Sequence, residues 1–201
     1  MATLKPHKLN GAILTERGTK IIPRGIRFFM KRLAKIIYWK QGVKYAEAWG
    51  NHAETLYIVD GVAYVIGAIK EGFKMRKFTE AYSKNDYKKL RCFVPKIPYT
   101  AEELARGYMK AKELEDVPYQ FWNFPAWVIY IGSRFHIDLF RREQNAEKKI
   151  YCFEGVARLA NAKRPGLFDD YEEITSIYDI ESNPHLENIE DFLSYLRLYL
   201  Q

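Results

Sequence analysis

Short runs of β-branched and aromatic residues, bounded by turn residues, predict several strands in the first half of the chain. The two clearest runs are 52–59 and 62–69, and Asp60 and Gly61 join them. An Asp-Gly pair in this setting is the strongest short signal for a two-residue β-hairpin. Three further segments have the composition of strands: 9–15, 73–78 and 91–95.

Apolar residues spaced three and four positions apart predict helices elsewhere. Such a stripe runs through 24–40, where a core helix with a solvated basic face is favoured over one that binds an anionic surface. Thr100 followed by Glu103 predicts a helix cap, with helix to about Leu114. A closing amphipathic helix is predicted over 188–200. Its apolar residues fall on one stripe: Ile189, Phe192, Leu193, Leu196 and Leu200.

Helices combined with an antiparallel meander predict an α+β fold, with an antiparallel sheet packed against helices. The chain has 201 residues, of which 48% are hydrophobic and 15% aromatic, and this fits one globular domain over 1–201. No apolar run approaches the roughly 20 residues that cross a bilayer. The N-terminus lacks the apolar stretch of a signal peptide. Two cysteines do not make a disulfide framework, so we expect cytoplasmic synthesis and free thiols.

The net charge of +7 is unevenly spread along the chain. Residues 1–100 hold 20 Lys and Arg against 7 Asp and Glu, whereas residues 101–201 hold 12 against 18. This split is typical either of a polyanion-binding face or of two halves that attract each other. The second interpretation is favoured, because the basic residues are interleaved with core-type residues. Nucleic acid is not an expected partner, since no recognised binding motif is present.

Cys152 is the residue of greatest chemical interest, because an apolar stretch leads into it and helix-forming sequence follows at once. A thiol at a helix N-terminus lies beside unpaired backbone N–H groups and the positive end of the helix dipole, which favour the thiolate. Such a thiolate is a candidate nucleophile if a histidine reaches it. The alternative is a buried structural cysteine. Cys92, with no helix start behind it and no histidine nearby, is interpreted in that way.

Four histidines are available as partners of this thiol. His52 is favoured, because it begins a predicted strand and a rigid sheet would hold its imidazole in place. His7 and His185 lie in an N-terminal segment and an acidic loop and are poor candidates, and His136 lies in a segment that fits either loop or helix. A cysteine hydrolase also needs a polar residue that orients the histidine.

Four segments follow one another in a recognisable order: GAILT at 11–15, HAETLYIVDG at 52–61, VIGAI at 65–69 and YCFEGV at 151–156. This series resembles the circularly permuted papain-fold, NlpC-like cysteine hydrolases of the YiiX-like type. Their motifs are an opening G-D-I-[IL]-L-T, a histidine at a strand start, a hairpin strand with V-E-A, and C-S-E-[LV]-V at a helix start. The histidine precedes the cysteine, the reverse of papain, as permutation implies.

The resemblance covers about 9–163 and leaves 164–201 as an acidic loop and the closing helix. It implies a permuted papain-like, NlpC-like fold within the α+β class. It also implies that Cys152 attacks the substrate carbonyl and that His52 moves the proton.

The chain departs from the family pattern at three positions. Ala12 replaces an aspartate, Phe153 replaces a serine, and Gly67 stands where the family has the glutamate of its site. In the predicted hairpin, paired residue numbers sum to 121, which places Glu54 across from Gly67 on the same face as His52. The carboxylate is therefore predicted to have changed places, with Glu54 reaching over the glycine to orient His52. The alternative is an exposed strand glutamate in an inactive enzyme.

Two functions from different classes stay open. The first is a cysteine hydrolase, an amidase or peptidase, with Cys152, His52 and Glu54 as its catalytic residues and a peptide, amide or acyl substrate such as cell-wall peptide. The second is a catalytically degenerate papain-like scaffold with a structural or binding role, for example in the assembly of a phage virion. No cofactor or metal is expected, because the sequence has neither a CxxC nor an HExxH motif.

Overall fold

The computed structural model describes residues 7–17, 50–119, 150–168 and 177–200. The strands in these ranges are β1 Ile13–Glu16, β2 His52–Val59, β3 Val62–Ile69, β4 Gly72–Lys77, β5 Leu90–Pro95 and β6 Leu186–Ile189. The α-helices are α1 Phe78–Ala81, α2 Ala101–Glu113, α3 Cys152–Lys163, α4 Ile177–Glu181 and α5 Phe192–Leu196. Short 3-10 helices cover Tyr87–Lys89 and Arg197–Tyr199. The helix predicted over 24–40 and His136 lie outside the described residues.

The six strands form one antiparallel sheet in the order β4-β3-β2-β1-β5-β6. The β2–β3 hairpin has the predicted register, since Val59 pairs with Val62 and Thr55 pairs with Ile66. Both residues of its turn are in the left-handed region, with φ values of 49° and 80°. Asp-Gly is the dipeptide that tolerates such angles best. The predicted α+β class, with an antiparallel sheet packed against helices, is confirmed.

Both faces of the sheet are covered, which explains why β2 and β3 have near-continuous apolar sequences. One apolar cluster packs α2 and α3 against residues such as Ile13 and Tyr57. The other packs α1 and α5 against residues such as Leu14 and Leu56. Because side chains alternate across a strand, each central strand supplies both clusters.

The two longest described helices meet through their ends. Thr100 caps α2 as predicted, since its hydroxyl accepts from the Glu103 N–H while the Glu103 carboxylate accepts from the Thr100 N–H. The same carboxylate binds the guanidinium of Arg164, just after α3, at 2.8 and 3.0 Å. Lys163, the last residue of α3, is fully buried and donates to the Gly11 carbonyl at 2.8 Å.

The predicted closing helix over 188–200 is wrong in its first residues. Residues 186–189 form β6, which pairs with β5, and helix begins only at Phe192 and ends at Leu196. The backbone N–H and C=O groups along the outer edge of β5 pair with this segment, and the pairing overrides the local helical spacing. The part of the stripe that is helical does bury Phe192 and Leu196 as expected. In the described part of the chain, no helix is long and apolar enough to cross a membrane.

Candidate active site

The site begins at the N-terminus of α3, whose first residue is Cys152, as predicted. Tyr151 before it is extended, with φ −114° and ψ 170°, so the chain turns sharply into the helix. Glu154 stabilises this first turn, because its carboxylate accepts from the Tyr151 N–H at 3.5 Å and pairs with Arg158 at 2.8 Å. Cys152 is 5% exposed. Its thiol is thus held at the positive end of the helix dipole.

The His52 imidazole lies between this thiol and a carboxylate. Cys152 is within hydrogen-bonding reach of the ring, and the Nε2 atom lies 3.9 Å from the Glu54 Oε1 atom. The imidazole is 24% exposed, so one part of the site meets solvent.

The charges around His52 favour its protonated form. Burial alone would lower the pKa of His52, but the negative charge and hydrogen bond of Cys152, together with those of Glu54, raise it well above its usual value. The imidazolium form of His52 is therefore the form that its surroundings stabilise, and a thiol beside an imidazolium ionises more readily than a free one. A cysteine next to such an imidazolium is the arrangement of an activated thiol nucleophile.

Glu54 is fully buried, and both of its carboxylate oxygens accept hydrogen bonds. The Arg76 Nη2 atom donates to Oε1 at 2.5 Å, and the Tyr82 hydroxyl donates to Oε2 at 2.5 Å. Burial raises the pKa of Glu54, but His52, Arg76 and Tyr82 outweigh it and lower this pKa to about 2. The carboxylate stays ionised at neutral pH.

Glu54 occupies the volume that a side chain at Gly67 would need. A Cβ atom on Gly67 would lie 2.7 Å from the Glu54 Cγ atom and 3.1 Å from its Oε1 atom. The structure therefore places Glu54 directly over Gly67 and on the same side of the sheet as His52, in the arrangement that the register predicts. An exposed strand glutamate, the alternative, does not describe Glu54.

A tyrosine that the sequence analysis did not single out also reaches Cys152. The Tyr119 side chain is within hydrogen-bonding reach of the thiol, and the charge of Cys152, burial and this contact all raise the pKa of Tyr119. Tyr119 lies beside the start of α3, because its backbone forms a β-bridge with Ile150. The Ile150 N–H also donates to the Pro118 carbonyl at 3.0 Å. Its hydroxyl is a neutral donor next to the candidate nucleophile.

Comparison with known proteins points to one fold. No family model matches the sequence, and no curated protein matches it significantly. Among solved structures, that of metalloprotein yiiX from Escherichia coli O157:H7 is similar, with a TM-score of 0.54 and 14% identity over 90% of this chain and 95% of that one. At this identity the similarity shows the fold alone. The chain has a YiiX-like fold.

The remaining sequence-predicted residues lie apart from this cluster. Cys92 is fully buried in β5, and burial raises the pKa of its thiol. His7 packs against Tyr199, and His185 is exposed.

Arg76 and Tyr82 were missed, although one signal could have found the first. The β3–β4 register pairs Arg76 with Val65, two residues from Gly67 on the same face, so the hairpin argument extended by one strand places Arg76 near Glu54. Tyr82 follows a short helix, and no local pattern predicts where its hydroxyl lies.

Proposed function

We propose that this protein is a cysteine hydrolase with a permuted papain-like, NlpC-like architecture, an amidase or peptidase that cleaves amide or related acyl bonds. The observation that carries the proposal is the series of groups that meet at the start of α3. A thiol, an imidazole and a buried carboxylate follow one another in contact, which is the order that nucleophilic catalysis with an oriented base requires.

In the proposed reaction, the Cys152 thiolate attacks the substrate carbonyl carbon, and the carbonyl oxygen becomes negatively charged. Collapse of this intermediate breaks the C–N bond, and the proton on His52 passes to the leaving nitrogen, which leaves a thioester on Cys152. His52 then takes a proton from water, whose oxygen attacks the thioester and releases the acid. Glu54 holds the imidazole by its Nε2 side through both steps.

Two donors support the negatively charged oxygen. The Cys152 backbone N–H is at a helix start, where N–H groups have no acceptor within the helix. The Tyr119 hydroxyl lies beside the thiol, and its raised pKa keeps it protonated at neutral pH. Donors that are fixed in advance stabilise the developing charge at little reorganisation cost.

The similar yiiX protein is described as a metalloprotein, but the described residues of this site do not suit a metal ion. The described residues contain no group of three or more His, Cys, Asp or Glu side chains placed to hold one. Both oxygens of Glu54 are taken, one of them by the positively charged Arg76. We therefore derive no step through a metal.

The test is a thiol-directed activity probe followed by peptide mapping, together with hydrolysis of a panel of peptide amides and peptidoglycan fragments. The wild-type protein is expected to be labelled at Cys152 and to hydrolyse at least one amide, while Cys152→Ala loses both. Cys92→Ala is the matched control and should keep both. Labelling that is absent, or that is equal at both cysteines, contradicts the proposal.

One observation favours the second candidate, a degenerate scaffold with a structural or binding role, for example in a phage particle. Cys152 is 5% exposed, so a substrate has little access to the thiol in this conformation. The same probe separates the two candidates, because a scaffold would leave Cys152 unlabelled in the folded protein.

A further inference from the structure

Glu54 needs help to act on His52. Its side chain is 1% exposed, and a carboxylate in such a place is costly unless charge and hydrogen bonds compensate it. Its distance to the imidazole, 3.9 Å between Oε1 and Nε2, is longer than that of a strong hydrogen bond. The direction in which the carboxylate points therefore depends on what else holds it.

Two side chains from different elements fix the carboxylate. Arg76 on β4 contacts Oε1, the oxygen that faces His52, and Tyr82 after α1 contacts Oε2. A guanidinium on one oxygen and a hydroxyl on the other determine both the position and the plane of the group. Gly67 leaves the space that this placement needs.

We propose that Arg76 and Tyr82 are positioning residues of the active site, which keep the Glu54 carboxylate ionised and directed at Nε2 of His52. The inference rests on the proposed function. It concerns how Glu54 orients His52 in a chain that has Gly67 where the similar hydrolases have a glutamate. A carboxylate that comes from a different strand needs its own supports, and these two residues supply them.

Tyr82 acts as a donor throughout the relevant pH range. It is 5% exposed, and burial together with the charge of Glu54 raises the pKa of Tyr82 well above its usual value. The Arg76 guanidinium donates to the other oxygen, Oε1. When either contact is lost, the Glu54 carboxylate is free to turn away from Nε2 of His52. A carboxylate that no longer faces His52 stabilises the imidazolium less, and the imidazolium in turn favours the Cys152 thiolate less.

The experiment measures the rate of Cys152 alkylation by iodoacetamide between pH 4 and pH 9, with mass spectrometry of the Cys152 peptide. Tyr82→Phe is expected to move the acid limb of this profile to higher pH and to slow alkylation near pH 5 by about threefold to tenfold. Tyr87→Phe is the matched control, because Tyr87 and Tyr82 both pack on Phe78 but only Tyr82 contacts Glu54.

Arg76→Met is the second variant and should move the same limb in the same direction, while Arg76→Lys restores part of the shift. Lys74→Met, a charge loss on the same strand at a residue that pairs with Asp116, should leave the profile unchanged. Melting temperatures are measured in parallel, since a purely structural role would lower them without moving the profile.

The outcomes distinguish this inference from the proposed function. A fast wild-type Cys152 whose profile is unchanged in both Tyr82→Phe and Arg76→Met overturns the positioning role alone. A wild-type Cys152 that reacts no faster than an unperturbed thiol overturns the proposed function and this inference together.

Discussion

Cys152 and Cys92 are both buried, at 5% and 0% exposure, yet their surroundings differ in kind. His52 and Tyr119 reach the first, whereas the second lies among apolar side chains of the sheet. We predict that iodoacetamide modifies Cys152 at least about tenfold faster than Cys92 at neutral pH, because a neighbouring imidazolium favours the thiolate. Mass spectrometry of both peptides over time measures the two rates. Equal rates would remove the basis for a nucleophile.

A second prediction concerns the carboxylate. Glu54→Gln keeps the shape of the side chain but removes the charge that raises the pKa of His52, so the alkylation rate of Cys152 should fall by about tenfold. Glu54→Ala combined with Gly67→Glu moves the carboxylate to the opposite strand and should recover part of that loss. The control is Glu80→Gln, an exposed glutamate of α1. A double variant no faster than Glu54→Ala would contradict the exchange.

The placement of a site residue could be predicted from the sequence where it follows from strand pairing or from a helix start. The hairpin register places Glu54 beside His52, and the helix start places Cys152. Arg76 follows only when the register argument is extended by one strand, from β3 to β4. Tyr119 and Tyr82 are brought in by tertiary packing, and no local spacing encodes such contacts.

At the scale of elements, α3 has one ionisable residue at each end. Cys152 starts the helix, and Lys163 ends it in the core, with its ammonium group 4.7 Å from the centre of the Tyr99 ring. Burial, followed by the charge of Arg164, lowers the pKa of Lys163 to about 7. The helix therefore runs from the site to a buried lysine that the proposed reaction does not use.

This lysine gives a prediction for stability. Its pKa is about 7 in the folded protein and about 10.4 in the unfolded chain, so between these values the unfolded chain binds more protons and stability rises with pH. The contribution of Lys163 to the free energy of unfolding, taken as the difference between the wild type and Lys163→Met, should increase by about 2 kcal/mol from pH 7 to pH 9. Denaturant titration measures it. Lys110→Met, on α2, is the control and should keep the pH dependence of the wild type. A Lys163→Met protein with the same pH dependence as the wild type would contradict this assignment.

The elements were predictable where propensity and tertiary context agree. The hairpin, the Thr100 cap and the start of α3 all have local signals that packing reinforces. Residues 188 and 189 begin the predicted helical stripe, but their backbone belongs to β6 and pairs with β5. Edge pairing depends on where a distant strand lies, and the sequence of the segment itself does not carry that information.

At the scale of the whole molecule, the segment after Arg164 completes the sheet and closes its second apolar cluster. It adds β6 and buries Phe192 and Leu196, and Glu181 accepts from the Gly50 N–H at 2.9 Å. Ion pairs join the basic half to the acidic half, as in Lys8 with Glu187 and Lys74 with Asp116. Such exposed pairs contribute little free energy, so the apolar contacts matter more.

Truncation of the chain after Arg164 should therefore lower solubility or abolish cooperative melting, because β5 loses its partner and apolar side chains become exposed. Circular dichroism melts of the truncated and full-length proteins test this prediction. A truncated protein that melts like the full chain would show that the acidic segment is an appendage and that the single-domain hypothesis is wrong.

The tight approach of Glu54 to Gly67 also constrains how such a site can evolve. With a Cβ atom only 2.7 Å from the Glu54 Cγ atom, any side chain at position 67 is tolerated only after Glu54 has become smaller. The two positions therefore show epistasis, since the benefit of a carboxylate at one depends on its absence at the other. Under the proposed exchange, an alignment column that tracks a single position would record a lost residue, while the carboxylate lies on the neighbouring strand.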